Sequence, residues 1–144
     1  MTLANIRALF EVALNNQFGA AGVPVVFDNV QETPPANANQ YWAQITLSFT
    51  QMAVPVICQT ESTIEEIRGT VSVNIWGMRA NGMRTLEELG GTTARTLNEI
   101  KWAAYDDPNI LSAFCGAIDG PQALLDDEDP WAGVVVTAPF IARV

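Results

Sequence analysis

The chain has 144 residues, 49% of them hydrophobic, and its 16 acidic and 7 basic residues give a formal charge of −9 at pH 7. That length suits one domain with a substantial core, and the charge repels phosphate backbones, so we expect no specific nucleic-acid binding. No histidine is present, which excludes Ser-His and Cys-His catalytic arrangements.

The first predicted element is an amphipathic helix. Apolar residues recur at spacings of three and four over residues 3–18, and Gly19 is placed to end the helix. A short strand is predicted over residues 23–30. Residues 33–40 follow as a loop, since two successive prolines exclude both helix and interior strand.

A long β-hairpin is predicted next. Polar and apolar residues alternate over 41–50 and again over 64–78, the pattern of half-buried strands, and the two segments are natural antiparallel partners. Pro55 excludes the segment between them from a central strand. That segment is nevertheless apolar at Met52, Val54, Val56 and Ile57. It must be buried against its own domain or against a neighbouring subunit. Both alternatives remain open, and we predict the subunit contact.

The second predicted helix covers about residues 82–104, with Leu86, Leu89, Thr93, Leu97, Ile100 and Ala104 on one face. The pair Gly90-Gly91 either breaks this helix or lets it lie close to the sheet. Residues 106–109 form a turn.

The C-terminal third of the chain contains two further predicted strands. Residues 111–125 are ambiguous, with a weak strand near 115–125, and residues 126–130 read as a solvent-exposed turn. Alternation returns over 134–141. The chain is therefore predicted to be a single α+β domain over residues 1–144. Its mixed or antiparallel sheet has four to five strands, includes the long hairpin and packs against two helices.

No segment carries a recognisable catalytic or metal-binding pattern. The acidic run 126–129 lacks the calcium-loop spacing, and Asp106, Asp107 and Asp119 have no accompanying pocket loop. Residues 77–82 resemble half a phosphate loop without its lysine and hydroxyl. We therefore predict no enzyme activity, no metal and no cofactor.

The cysteines and tryptophans suggest packing or contact roles. Cys58 and Cys115 are expected to be reduced, packed thiols. Trp42 and Trp76 face away from the more apolar sides of their strands. Such residues are either covered by another element or anchor an interface, and we include both in the predicted subunit interface.

The chain shows no signal peptide and no apolar run of about 18 residues, so we expect a cytoplasmic protein without a membrane span.

The order of helix, strand, long hairpin, helix and C-terminal strand resembles the tail terminator proteins of long-tailed bacteriophages. The resemblance covers nearly the whole chain, and it is a pattern of elements rather than a residue motif. The segments that carry it are residues 1–18, 41–49, 69–77 with the following helix, and 131–140.

This resemblance implies a non-enzymatic virion protein of the tail–neck region, assembled in the host cytoplasm. Such proteins form a ring, usually a hexamer, at the head-proximal end of the tail tube, end its polymerisation and present a docking surface to the neck connector. The implied partners are other copies of the chain, the tube protein and the neck protein, and DNA passes through the lumen without specific binding. The alternatives are a head-completion or tail-tube protein of the same region and, more remotely, an acidic histidine-free hydrolase.

Overall fold

A computed structural model describes residues 2–27, 41–53, 66–78, 82–101, 112–124 and 131–143, together with 108 and 110. In chain order the elements are α1 (Thr2–Ala20), β1 (Val25–Phe27), β2 (Trp42–Ala53), β3 (Glu66–Met78), α2 (Arg84–Asn98), β4 (Ser112–Cys115), β5 (Asp119–Leu124) and β6 (Trp131–Arg143). The predicted α+β fold, with a sheet packed against two helices, is confirmed. The sheet has six strands rather than four to five, because the ambiguous segment after α2 contains β4 as well as β5.

The sheet is mixed and centres on β3 and β6. Its order is β1-β2-β3-β6-β4, with β5 also paired to β6. β1 runs parallel to β2, and all other pairs are antiparallel. One edge of β6 pairs with β3 along its whole length, while the other edge takes β5 near its start and β4 near its end. The predicted hairpin is the β2–β3 pair, in which a register shift between Phe49 and Gln51 marks a β-bulge.

Both helices pack on one face of the sheet, which we call the core face. Strand alternation places nine buried residues on it: Ala43, Ile45 and Leu47 of β2, Val71, Val73 and Ile75 of β3, and Val134, Val136 and Ala138 of β6. The apolar stripe of α1, formed by Ile6, Phe10, Leu14 and Phe18, is fully buried against this core. The apolar residues that recur at every fourth position of α1 and at every second position of the strands thus pack together in one layer.

An aromatic cluster joins α1 to the sheet at Gly69. A Cβ atom at Gly69 would lie 2.5 Å from Cζ of Phe140, so the Phe140 ring occupies the space that a side chain there would need. The same ring lies 4.8 Å from the Phe10 ring of α1 and 6.0 Å from Phe49 of β2. The Arg7 guanidinium of α1 lies 5.7 Å from the centre of the Phe49 ring. The missing side chain in β3 therefore sets where α1 docks.

α1 ends at Ala20 and is capped by Gly22 rather than stopped by Gly19. Gly22 has φ of 71°, the left-handed conformation that glycine adopts without strain. Its amide donates to the Gly19 carbonyl at 3.1 Å, and the Val23 amide donates to the Phe18 carbonyl at 2.9 Å. These two bonds form a Schellman motif, which satisfies carbonyls that the helix leaves unpaired. The predicted stop at Gly19 is wrong because Gly19 lies inside the last helical turn.

A hydrogen bond between side chains joins the two helices. Gln17 Nε2 donates to Thr93 Oγ1 at 3.0 Å, and that hydroxyl donates in turn to the Leu89 carbonyl at 2.9 Å. Thr93 is fully buried. Its place on the apolar face of the predicted helix is thereby explained, since a buried hydroxyl needs partners.

α2 continues through both Gly90 and Gly91. The pair therefore does not break the helix, and at Gly90 it lets the helix lie close to the sheet. A Cβ atom at Gly90 would lie 2.5 Å from Cβ of Pro121 and 3.5 Å from Cγ2 of Val134, whereas one at Gly91 would meet no atom within 4 Å. α2 ends at Asn98, and Ile100 is buried just beyond it. The predicted end of this helix at residue 104 lies outside the described residues.

Alanine at Gly90 and alanine at Gly91 should change the free energy of unfolding in opposite directions. Gly91→Ala should raise the free energy of unfolding by up to about 1 kcal/mol through helix propensity alone. Gly90→Ala should lower it by about 1 kcal/mol or more, because the new methyl group collides with the Pro121 ring. Urea denaturation of both variants checks this pair. A Gly90→Ala protein as stable as the unchanged chain would show that the close contact with β5 is absent.

Candidate subunit interface

The side of the sheet opposite the core face carries uncharged residues at the centre of β2, β3 and β6. We call it the second face, and its central residues are Gln44, Thr46 and Ser48 of β2, Thr70, Ser72 and Asn74 of β3, and Val135, Thr137 and Pro139 of β6. Most of these side chains are half-buried, and Ser48 and Pro139 are exposed. Ser72 and Thr137 bring their hydroxyl oxygens to 3.5 Å across the strands. None of these nine residues is charged, and the exposed Asp119 of β5, which pairs with Thr137, borders them on the same face.

One end of the second face is aromatic. Trp42 and Trp76 are directly opposite each other in the β2–β3 register, and their rings stack with centroids 6.1 Å apart. Trp131 meets Trp42 edge-on at 6.4 Å. The prediction that Trp42 and Trp76 point away from the apolar side is consistent with this register.

Trp42 and Trp76 are less exposed to solvent than side chains that anchor an open interface usually are. Trp42 is 6% exposed and Trp76 is half-buried, and the rings of Trp76 and Trp131 both contact that of Trp42. The indole Nε1 atoms of Trp42 and Trp76 are buried without a hydrogen-bond acceptor within the described part of the molecule. Their role in a subunit contact stays a prediction.

The predicted contact at the hairpin end lies largely beyond the described residues. Met52 belongs to β2 and pairs with Ile67 of β3, which is fully buried. Val54, Val56 and Ile57 lie outside the described residues. The hairpin therefore remains part of the domain core at the level of Ile67, and the subunit contact predicted for these four residues stays a prediction.

The other end of the second face carries three charged side chains. Arg68 places Nε 2.9 Å and Nη2 2.8 Å from Oε1 of Glu66, and Arg143 places Nε 3.4 Å from Oε2. The Glu66 side chain is 16% exposed, whereas the two arginines are 52% and 54% exposed. The hydrogen bond from Arg68 outweighs the opposing effect of desolvation and, with Arg143, lowers the pKa of Glu66 below its ordinary value of 4.5.

This lowered pKa predicts a pH-dependent contribution to stability. The folded chain favours ionised Glu66, so the stabilisation is present at neutral pH and disappears as the pH falls below 4.5 through the folded-state pKa. The free energy of unfolding of the unchanged chain should therefore exceed that of Glu66→Gln at pH 7, and the difference should shrink as the pH falls from about 5 towards 3. Urea denaturation across this range measures it.

The matched background is the double variant Arg68→Gln, Arg143→Gln, in which Glu66→Gln should no longer cost stability at pH 7, because only desolvation, which raises the pKa of Glu66, then remains. A difference that stays constant with pH in the unchanged background would contradict the assigned ion pairs.

Groups with catalytic or ligand chemistry are dispersed in the described ranges. Desolvation raises the pKa of the free Cys115 thiol to about 12, so it stays protonated at neutral pH. No three Cys, Asp or Glu side chains come together as a metal site among the residues with assigned positions. Cys58, Asp106, Asp107 and the acidic run 126–129 lie outside those ranges. None of the described helices is long and apolar enough to cross a membrane.

Phe114 is a surface feature that the sequence reasoning missed. It lies in β4 opposite Ile141 and is 42% exposed, one of two large exposed hydrophobic residues in the described chain. The segment 111–125 was ambiguous, and only the register of β4 on β6 brings Phe114 beside the charged end of the second face. The sequence contained one local indication of the neighbouring ion pair: Glu66 and Arg68 are two residues apart, which places both side chains on the same face of a strand.

Comparison with known proteins identifies the fold. No protein-family model matches the chain, and no curated protein matches it. The chain is similar to a protein of known structure whose name is only a sequence identifier and describes no activity. The two share 19% sequence identity with a TM-score of 0.69, over 100% of this chain and 97% of the other. At this identity the likeness concerns the fold alone.

Proposed function

We propose that this chain is a structural protein that forms a closed ring, a hexamer by resemblance, at the head-proximal end of a bacteriophage tail tube. There it ends tube polymerisation and provides the docking surface for the neck connector. The observation that carries the proposal is the order of elements along nearly the whole chain: helix, short strand, long hairpin, helix and C-terminal strand. That order is the one in which the sequence resembles tail terminator proteins.

The distribution of side chains over the sheet is physically consistent with assembly. One face is closed by α1 and α2, and on the second face the central residues of β2, β3 and β6 carry no charge, with Asp119 of β5 at their border. The cores of protein interfaces are depleted of charged residues, because burying an unpaired charge is costly. A rotationally closed ring needs two different complementary patches on each subunit. The charged end of the second face, with its exposed arginines, is suited to be one of the two.

The charge of the chain supports a channel-lining role over a DNA-gripping one. Each subunit carries −9, so a ring of such subunits repels a phosphate backbone rather than binding it. DNA would pass through the lumen without being held. No catalytic step belongs to this proposal, since the sequence has no histidine and the Cys115 thiol stays protonated.

Deletion of the gene tests the proposed role directly. Electron micrographs of the deletion lysate should show tails of uncontrolled length that are not joined to heads, because nothing then stops the growing tube. Complementation with the unchanged gene should restore tails of one length. Tails of normal length attached to heads would contradict termination, while tails of normal length left unattached would assign the chain to head completion instead.

DNA binding offers a second test. Fluorescence anisotropy with a labelled duplex should show no measurable affinity at physiological salt, because the charge of −9 opposes contact with phosphates. A protein of similar mass and strongly positive charge serves as the positive control. Saturable binding that weakens steeply with added salt would contradict the proposed passive lumen.

A further inference from the structure

A mixed apolar and basic patch lies at the charged end of the second face. We call it the Phe114 patch and define it as Phe114 of β4, Pro139, Ile141 and Arg143 of β6, and Arg68 of β3. Cross-strand pairing places Phe114 beside Ile141 and Ile141 beside Arg68, in one row across three strands. Arg143 pairs with Glu66 in the next row.

Four of the five patch residues are exposed, in contrast to the tryptophans at the other end of the second face. Phe114 is 42% exposed, Arg68 and Arg143 are 52% and 54% exposed, and Pro139 is exposed as well. At the opposite end of the same face the three tryptophans form a cluster. β4 is the last strand in the order of the sheet. The patch therefore reaches an edge of the sheet, where another molecule can approach.

The charge of the patch opposes that of the chain as a whole. Its two arginines share the single carboxylate of Glu66, which leaves one net positive charge beside an exposed aromatic ring. The whole chain carries 16 acidic residues against 7 basic ones. The other surfaces of a second copy are therefore predominantly acidic, and this patch is complementary to them in charge.

We propose that the Phe114 patch binds an acidic surface of a second copy of this chain. Phe114 and Ile141 supply the apolar contact, and Arg68 and Arg143 donate hydrogen bonds to carboxylates of the neighbour. The patch and the acidic surface differ, so the contact is heterologous, which is the type that closes rings. This inference rests on the proposed ring and adds which side of the subunit meets its neighbour. The apolar row favours a protein partner over a phosphate backbone.

The test is the assembly state of the purified full chain, measured by sedimentation velocity over a range of concentrations. Phe114→Asp and Arg143→Glu should each raise the concentration needed for assembly by about tenfold or more. Circular dichroism and urea denaturation establish that each variant is folded.

Two matched variants control for the change in charge. Val12→Asp places the same acidic group at the other large exposed hydrophobic residue, 58% exposed on α1, and Arg95→Glu reverses an exposed charge on α2. Both should assemble as the unchanged chain does.

Three other results would each contradict either the patch or the ring. If folded Phe114→Asp and Arg143→Glu proteins form the same ring as the unchanged chain, this patch is not the subunit contact, although the ring proposal stands. An unchanged chain that stays monomeric at every concentration contradicts both the ring and the patch. Duplex DNA binding that is lost in Arg68→Gln, Arg143→Gln would assign the patch to phosphate and overturn the proposal.

Discussion

The packing of Phe140 over Gly69 is the contact on which the rest of the structure depends. It joins the two central strands, β3 and β6, and presents a ring to Phe10 of α1 and to Phe49 of β2. A side chain at residue 69 would collide with this ring and with the Ser48 carbonyl. Because α1 docks at this point, the helices close one face of the sheet, and the other face remains available for contacts of a different kind.

The second face combines three regions of different chemical character. The central residues of β2, β3 and β6 are uncharged and mostly polar, one end is a cluster of three tryptophans, and the other end is an ion-pair group beside exposed Phe114. On a chain of −9, such a face meets a neighbouring protein with less electrostatic repulsion than the acidic surface does. This asymmetry connects the fold to the proposed ring. The closed face provides stability, and the second face is the one proposed to contact a neighbouring subunit.

Much of the fold could be predicted from the sequence because its main elements have clear periods. The alternation in β2, β3 and β6 and the spacing of three and four in α2 are visible without any knowledge of tertiary contacts. β4 was missed because the segment is short and Gly116, Gly120 and Pro121 interrupt the nearby pattern. The end of α1 was misplaced because two glycines compete there, and only Gly22 adopts the left-handed conformation.

The candidate interface was less predictable, since it depends on contacts between distant segments. Trp42 could be assigned to the correct face from alternation, but its edge-on contact with Trp131 of the last strand could not. Phe114, Arg68 and Arg143 come from three strands and meet only through the register of β6 with its two neighbours. No local pattern contains that information.

The central claim is that the chain assembles into a closed ring, and negative-stain electron microscopy of the concentrated, purified protein tests it most directly. The account predicts circular class averages of one subunit number with a central opening. Isolated subunits at every protein concentration and salt level, or open filaments without closure, would contradict it.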